Sequence, residues 1–148
     1  MINTALLKIG AGTTALLAGG GVALLSPSSP AVAYSSPPLF LDVSIQSPAH
    51  LVARGAAVAV PVTTICSGTT EAYLWVQVTE RVGKKVASGS KYLTVGCTGS
   101  RQQTTVTVPA SSATVFSKGT AYVTATLDGC TYYFCGEENN SATIQIAA

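Results

Sequence analysis

Alternating apolar and polar residues dominate the chain from residue 41 onward. Val, Leu, Ile or Ala recur at every second position in residues 41–45, 58–62, 74–78, 121–127 and 144–146, and Thr104, Val106 and Val108 alternate in the same way. Gly, Pro and Ser residues separate these runs. A period of two places successive side chains on opposite faces of a β-strand, so each run predicts a strand with one apolar face to bury.

The remaining segments refine this pattern. Residues 86–97 predict a return strand after a hairpin turn at residues 83–85, with an irregularity at residues 88–90, which read Ser-Gly-Ser. Pro61 lacks a backbone donor, so we expect its strand to be irregular or edge-like there. In the loop at residues 109–119, Phe116 is the side chain expected to plug the core. No segment after residue 33 has a convincing helical period.

About seven strands at intervals of roughly 8–12 residues favour an all-β, Greek-key sandwich. Over residues 41–146 the chain resembles bacterial immunoglobulin-like domains in strand number and spacing. This resemblance implies a single seven-stranded sandwich, in which the third, sixth and seventh strands share one sheet. The chain differs from antibody domains because Trp75 has the opposite parity to Leu74 and Val76, and because its cysteines lie at strand ends.

The first 33 residues have the features of a secretory signal peptide. Lys8 is followed by an apolar, Gly-rich stretch at residues 9–25 and by the small residues Ala31, Val32 and Ala33. The stretch is shorter than the roughly 20 apolar residues of a spanning helix, so cleavage after Ala33 is favoured over a membrane anchor. We therefore expect a signal peptide at residues 1–33, a flexible arm at 34–40 and a secreted domain at 41–148.

Composition excludes several classes of function. The formal net charge is only +2, and 9% of residues are charged. The chain therefore lacks the basic clusters that a nucleic-acid-binding protein needs. The chain contains no readable acid–base pair and no G-x-S-x-G nucleophile motif, so it is not expected to be an enzyme or to need a cofactor. Residues 137–140 (Glu-Glu-Asn-Asn) offer oxygen ligands for calcium, but a solvated turn is the favoured interpretation and no metal site is predicted.

The chain has four cysteines, Cys66, Cys97, Cys130 and Cys135. In an antiparallel series they all fall at one end of the predicted sandwich, and an even number in an exported chain favours disulfides over a metal site. Three connectivities are possible. Local closure favours Cys130–Cys135, which leaves Cys66–Cys97.

One candidate binding surface emerges from strand parity. If the third, sixth and seventh strands form one sheet, its outer face carries Tyr73, Trp75 and Tyr122 beside Thr and Gln residues. The hairpin between Cys130 and Cys135 adds Tyr132, Tyr133 and Phe134 at the end of this face. Exposed rings beside hydroxyl and amide groups suit a protein, a glycan or a small apolar ligand. The alternative is that these residues only stabilise the sheet.

The sequence therefore predicts a secreted, non-catalytic binding module that acts through this aromatic face. A small-molecule carrier is the alternative, because the hairpin from Cys130 to Cys135 resembles that of neocarzinostatin-type apoproteins. A secreted protease inhibitor is a third and weaker interpretation. An aromatic-lined cavity would favour the carrier, whereas a flat aromatic face would favour the binding module.

Overall fold

The structure, a computed structural model, describes residues 37–148 of the chain. Within this range it contains eight β-strands, one 3-10 turn at Ala53–Gly55 and no α-helix. The strands are β1 (Phe40–Ile45), β2 (Ala49–Val52), β3 (Ala57–Ser67), β4 (Glu71–Val82), β5 (Lys85–Gly96), β6 (Gln102–Pro109), β7 (Gly119–Cys130) and β8 (Cys135–Ala147). The predicted signal peptide at residues 1–33 and residues 34–36 of the predicted arm lie outside the described residues.

The strands form one mixed sheet in the order β1-β3-β2-β8-β7-β4-β5, with β6 paired to the other side of β3. All pairs are antiparallel except β2 and β8, which run parallel through two residue pairs. Strands β5, β4, β7 and β8 form one run, and β6, β3, β1 and β2 form another, with β2 linking the two. The all-β class predicted from the alternation is confirmed.

Both runs of strands bury their apolar faces in one core. The buried side chains at alternate positions are Val58, Val60, Val62, Leu74, Val76, Val78, Val106, Val108, Ala121, Val123, Ala125 and Leu127. Phe116, from the segment between β6 and β7, fills this core as predicted. A side chain at Gly129 of β7 would meet Leu41 of β1, because the two runs face each other closely there. Each fully buried Val, Leu or Phe contributes about 1.5–3 kcal/mol to stability.

The first predicted strand is divided into β1 and β2, so the structure has eight strands rather than seven. β1 pairs with β3 up to Val62, and β2 pairs with it up to Ala59. Pro61 lies at the gap between them, and its carbonyl accepts a hydrogen bond from the Gln46 N–H at 2.9 Å. Since the amide nitrogen and oxygen of one strand residue point to the same side, the missing Pro61 donor also faces the gap. The predicted irregularity at Pro61 is therefore a change of pairing partner.

Strand β5 is regular where an irregularity was predicted. Residues 88–90 pair with residues 77–79 of β4 without interruption, so the prediction of an irregularity there was wrong. Gly89 is needed for packing, because a Cβ at this position would collide with the carbonyl group of Pro109. The glycine lets the end of β6 lie directly on β5.

Candidate functional site

Two disulfides form at one end of the domain. Cys66 bonds to Cys97, with Cα atoms 4.8 Å apart, and Cys130 bonds to Cys135, with Cα atoms 3.9 Å apart. The strand ends that carry Cys97 and Cys130 coincide because the start of β4 pairs with both the end of β5 and the end of β7. The favoured connectivity and the common location of the four cysteines are confirmed. No other cysteine is present, so no thiol is available for catalysis.

The candidate site is the surface that β5, β4, β7 and β8 turn away from the core, which we call the outer face. The third, sixth and seventh predicted strands correspond to β4, β7 and β8, and they do lie in one run. Cross-strand pairing arranges the outward side chains in four rows, counted from the disulfide end. From β5 to β8 the rows are Thr94, Tyr73, Asp128 and Glu137; Tyr92, Trp75, Thr126 and Asn139; Ser90, Gln77, Thr124 and Ser141; and Ser88, Thr79, Tyr122 and Thr143.

Three rings form a contiguous cluster in the first two rows. Tyr73, Trp75 and Tyr92 are 41%, 49% and 58% exposed. Tyr73 and Trp75 have paired strands on both sides, and Tyr92 lies on the edge strand β5. The Tyr73 and Tyr92 rings stack with centroids 5.6 Å apart and an interplanar angle of 13°. Partial desolvation raises the pKa of the Tyr92 phenol, and the nearby Tyr73 and Asp128 raise it further. These rings therefore form a preorganised aromatic patch beside a negatively charged corner.

Sequence reasoning found Tyr73 and Trp75 but missed Tyr92. The signal was present, because Val86, Ser88 and Ser90 share the parity of Tyr92 once β5 is extended without a break. Tyr122, also predicted, is exposed on the same face but lies in the fourth row. It is four residues along β7 from the Trp75 row, roughly 13 Å, so the structure does not bring it into the ring cluster.

The predicted aromatic hairpin is a turn closed by Cys130–Cys135. Thr131 holds it, since its Oγ1 accepts hydrogen bonds from the N–H groups of Tyr133 and Phe134 at 3.3 and 3.2 Å. Tyr132 and Tyr133 project into solvent and meet edge to face, with ring centroids 5.1 Å apart. Phe134 instead lines a groove of about 290 Å³ with Leu39, Phe40, Leu41 and the first residues of β8. The three rings therefore do not form one surface.

Polar groups flank the ring cluster on β7 and β8. Asp128 and Glu137 are direct cross-strand neighbours in the first row. Partial burial raises the pKa of the Asp128 carboxyl group, and the charge of Glu137 and a hydrogen bond to it raise it further. In the second row, the Thr126 hydroxyl donates to Asn139 Oδ1 at 2.6 Å. The outer face thus combines rings with hydroxyl, amide and carboxylate groups.

The segment considered for calcium does not form a coordination shell. Alternation along β8 turns Glu137 outward and Asn140 inward, where the Asn140 Oδ1 accepts from the Ile45 N–H at 3.4 Å. Across residues 37–148, no three or more His, Cys, Asp and Glu side chains converge on a possible metal position. Segment 137–140 is part of β8 and not the solvated turn that was predicted.

One buried acid was missed by sequence reasoning. Glu80 of β4 is only 2% exposed, and its carboxylate accepts hydrogen bonds from the N–H and the hydroxyl of Ser117 at 2.9 and 2.7 Å. It continues the inward parity of Leu74, Val76 and Val78, which would have placed it in the core. Its partners lie in the segment that carries Phe116, so its role is to hold that segment.

A second groove, of about 400 Å³, separates the free edges of β5 and β6. Its lining is largely aliphatic and contains Lys91, Leu93, Thr105, Val106, Thr107 and Pro109. No aromatic side chain lines it. The aromatic residues of the candidate site therefore lie on an open face and not in this groove.

These features define a class of protein: an all-β domain with two disulfides and an exposed aromatic sheet face. No protein-family model matches the chain, and no curated protein is significantly similar to it. Residues 37–148 contain no helix that is long and apolar enough to cross a bilayer.

Proposed function

We propose that this chain is a secreted, non-catalytic binding module that engages a protein or glycan partner through the outer face. The ring cluster of Tyr73, Trp75 and Tyr92 is the observation that carries this proposal. Exposed large rings in one contiguous group are typical of interaction sites, whereas single exposed apolar residues are not. Rings held by paired strands lose little conformational entropy on binding.

The strand order supports an immunoglobulin-like Greek-key sandwich as the architecture of this module. One layer would contain β8, β7, β4 and β5, and the other β1, β3 and β6, with β2 crossing between them. Two disulfides in a small domain support secretion, because such bonds persist in oxidising compartments. The carrier alternative predicted rings inside a cleft, and the open position of the ring cluster favours the binding module instead.

The proposal is tested with the secreted protein, tagged at its C-terminus and used to capture partners from culture supernatant and from an array of glycans. Trp75→Ala is expected to reduce capture at least tenfold, because truncating a Trp hot spot near the centre of an interface costs about 2 kcal/mol or more, roughly thirtyfold. Val115→Ala is the matched control, since Val115 is 53% exposed but lies outside the outer face.

Thermal melting must first show that both variants fold as the wild type does. Unchanged capture by Trp75→Ala, and also by Tyr73→Ala and Tyr92→Ala, would remove the outer face from the function.

A further inference from the structure

We propose that the partner of the outer face is a second copy of this chain, bound with the two β4 strands antiparallel. This inference rests on the proposed function and identifies its partner. The required symmetry is a two-fold axis that lies between the two faces and runs perpendicular to the strands. Such an axis places the first row of one copy over the fourth row of the other, and the second row over the third.

The charges of the outer face are arranged for this symmetry. Glu71, Asp128 and Glu137 lie at the disulfide end, whereas Arg81 and Lys84 lie at the opposite end, where a turn joins β4 to β5. Glu71 and Arg81 have the same outward parity on β4, one beyond the first row and one beyond the fourth. The axis brings Glu71 of each copy over Arg81 of the other, so that opposite charges meet twice.

The sizes of the side chains follow the same symmetry. The bulky rings Tyr73, Trp75 and Tyr92 occupy the first two rows on β4 and β5. The last two rows of these strands carry the smaller Ser90, Gln77, Ser88 and Thr79. Under the two-fold axis the rings of each copy face the small side chains of its partner, so both faces can approach closely without clashing.

Asp128 also gains a hydrogen-bond partner in this arrangement. Asp128 in the first row of β7 faces Tyr122 of the second copy in the fourth row. Tyr122 is exposed, and its hydroxyl is a donor suited to a carboxylate. This pairing gives a role to the one predicted ring that lies apart from the ring cluster.

The area of the outer face suffices for a specific dimer. Four strands about 4.8 Å apart and about nine residues of 3.3 Å rise give a footprint of roughly 600 Å² per copy. Burying it on both copies removes about 1,200 Å² from water, at the lower limit for specific interfaces. A neutral glycan would use the rings but would leave the opposed charges at the two ends without partners, so a second copy is favoured.

The test is sedimentation velocity of the secreted protein across a wide concentration range, at low and at high salt. We expect a reversible dimer that weakens in high salt. Glu71→Arg and Arg81→Glu are each expected to weaken dimerisation about tenfold or more, because each places like charges opposite one another twice. The double variant Glu71→Arg/Arg81→Glu restores opposite charges and is expected to recover the wild-type affinity.

Arg101→Glu is the matched control, because Arg101 is exposed in the connection between β5 and β6 and lies outside the outer face. A wild type that stays monomeric at every concentration overturns the inference, as does a dimer that the single variants leave unchanged or that the double variant does not restore. If the monomer still captures a different partner and Trp75→Ala abolishes that capture, the proposed function stands and only the second copy is rejected.

Discussion

Asp128 and Glu137 form a carboxyl pair on the outer face, beside the phenols of Tyr73 and Tyr92. The pKa of Asp128 lies above its ordinary value of 3.8, because of partial burial and then because of Glu137. In the pH range between the unfolded and folded pKa values, the folded state binds more protons than the unfolded state, so stability falls as pH rises through this range. The ionised pair is therefore a small source of instability at neutral pH.

We expect Asp128→Asn to stabilise the protein at pH 7 by about 0.5 kcal/mol, the usual size of a like-charge cross-strand repulsion. The difference should disappear near pH 3, where the wild-type carboxyl group is also protonated. Urea denaturation at both pH values measures it, and Asp42→Asn on β1, which lies outside the outer face, serves as the control. An equal difference at pH 3 and pH 7 would show that charge is not the cause.

Single residues show how far parity alone predicts a surface. Parity placed Trp75 outside and Leu74 inside, and both predictions are confirmed. Tyr92 was missed because the Ser-Gly-Ser segment before it was interpreted as an irregularity, so that parity was not followed through it. Parity does not reveal which exposed rings touch, because contact depends on the register between strands.

At the level of elements, Glu80 joins β4 to the segment that precedes β7. We expect Glu80→Ala to lower the free energy of unfolding by about 2–4 kcal/mol, because the Ser117 N–H loses a charged acceptor and a cavity remains. Arg101→Ala, a change at an exposed residue outside the outer face, should stay within about 0.5 kcal/mol. Urea denaturation compares the two, and equal losses would contradict a structural role for Glu80.

The predicted strands mostly match the structure because their apolar faces are buried at period two. The division of the first strand was not predictable in this way, because β1 and β2 differ in pairing register and not in alternation. Two local signals were present. Pro48 indicates an interruption, after which residues 51–53 were expected to resume the edge, and Pro61 indicates a missing donor. Neither shows which strand pairs with each part. The regularity of β5 likewise depends on Pro109, which is distant in sequence but lies against Gly89.

For the whole molecule, the two disulfides should differ in their effect on stability. Cys66 and Cys97 are 31 residues apart, whereas Cys130 and Cys135 are five apart. In the chain-entropy model the longer loop contributes about 3–4 kcal/mol and the shorter about 2 kcal/mol. We therefore expect the paired Ala substitution at Cys66 and Cys97 to lower the free energy of unfolding more than that at Cys130 and Cys135.

Denaturant unfolding without reductant measures both variants, and capture by the secreted protein should be compared in parallel. A larger loss from the shorter bridge would contradict the loop-length argument. The common end of all four cysteines was predictable because it follows from strand direction alone.

Lys91 opposes the addition of a further strand at the open side of the domain. Strands β5 and β6 each pair with one strand only, so the groove that Lys91 lines has an unpaired strand edge on each side, although Ser88 of β5 is bonded to Ser111 and Ser112. Lys91 has the parity of the buried Ala87, and an additional strand entering the groove would have to strip water from its ammonium group. This single charge therefore opposes the stepwise strand addition by which sheet proteins grow into fibrils.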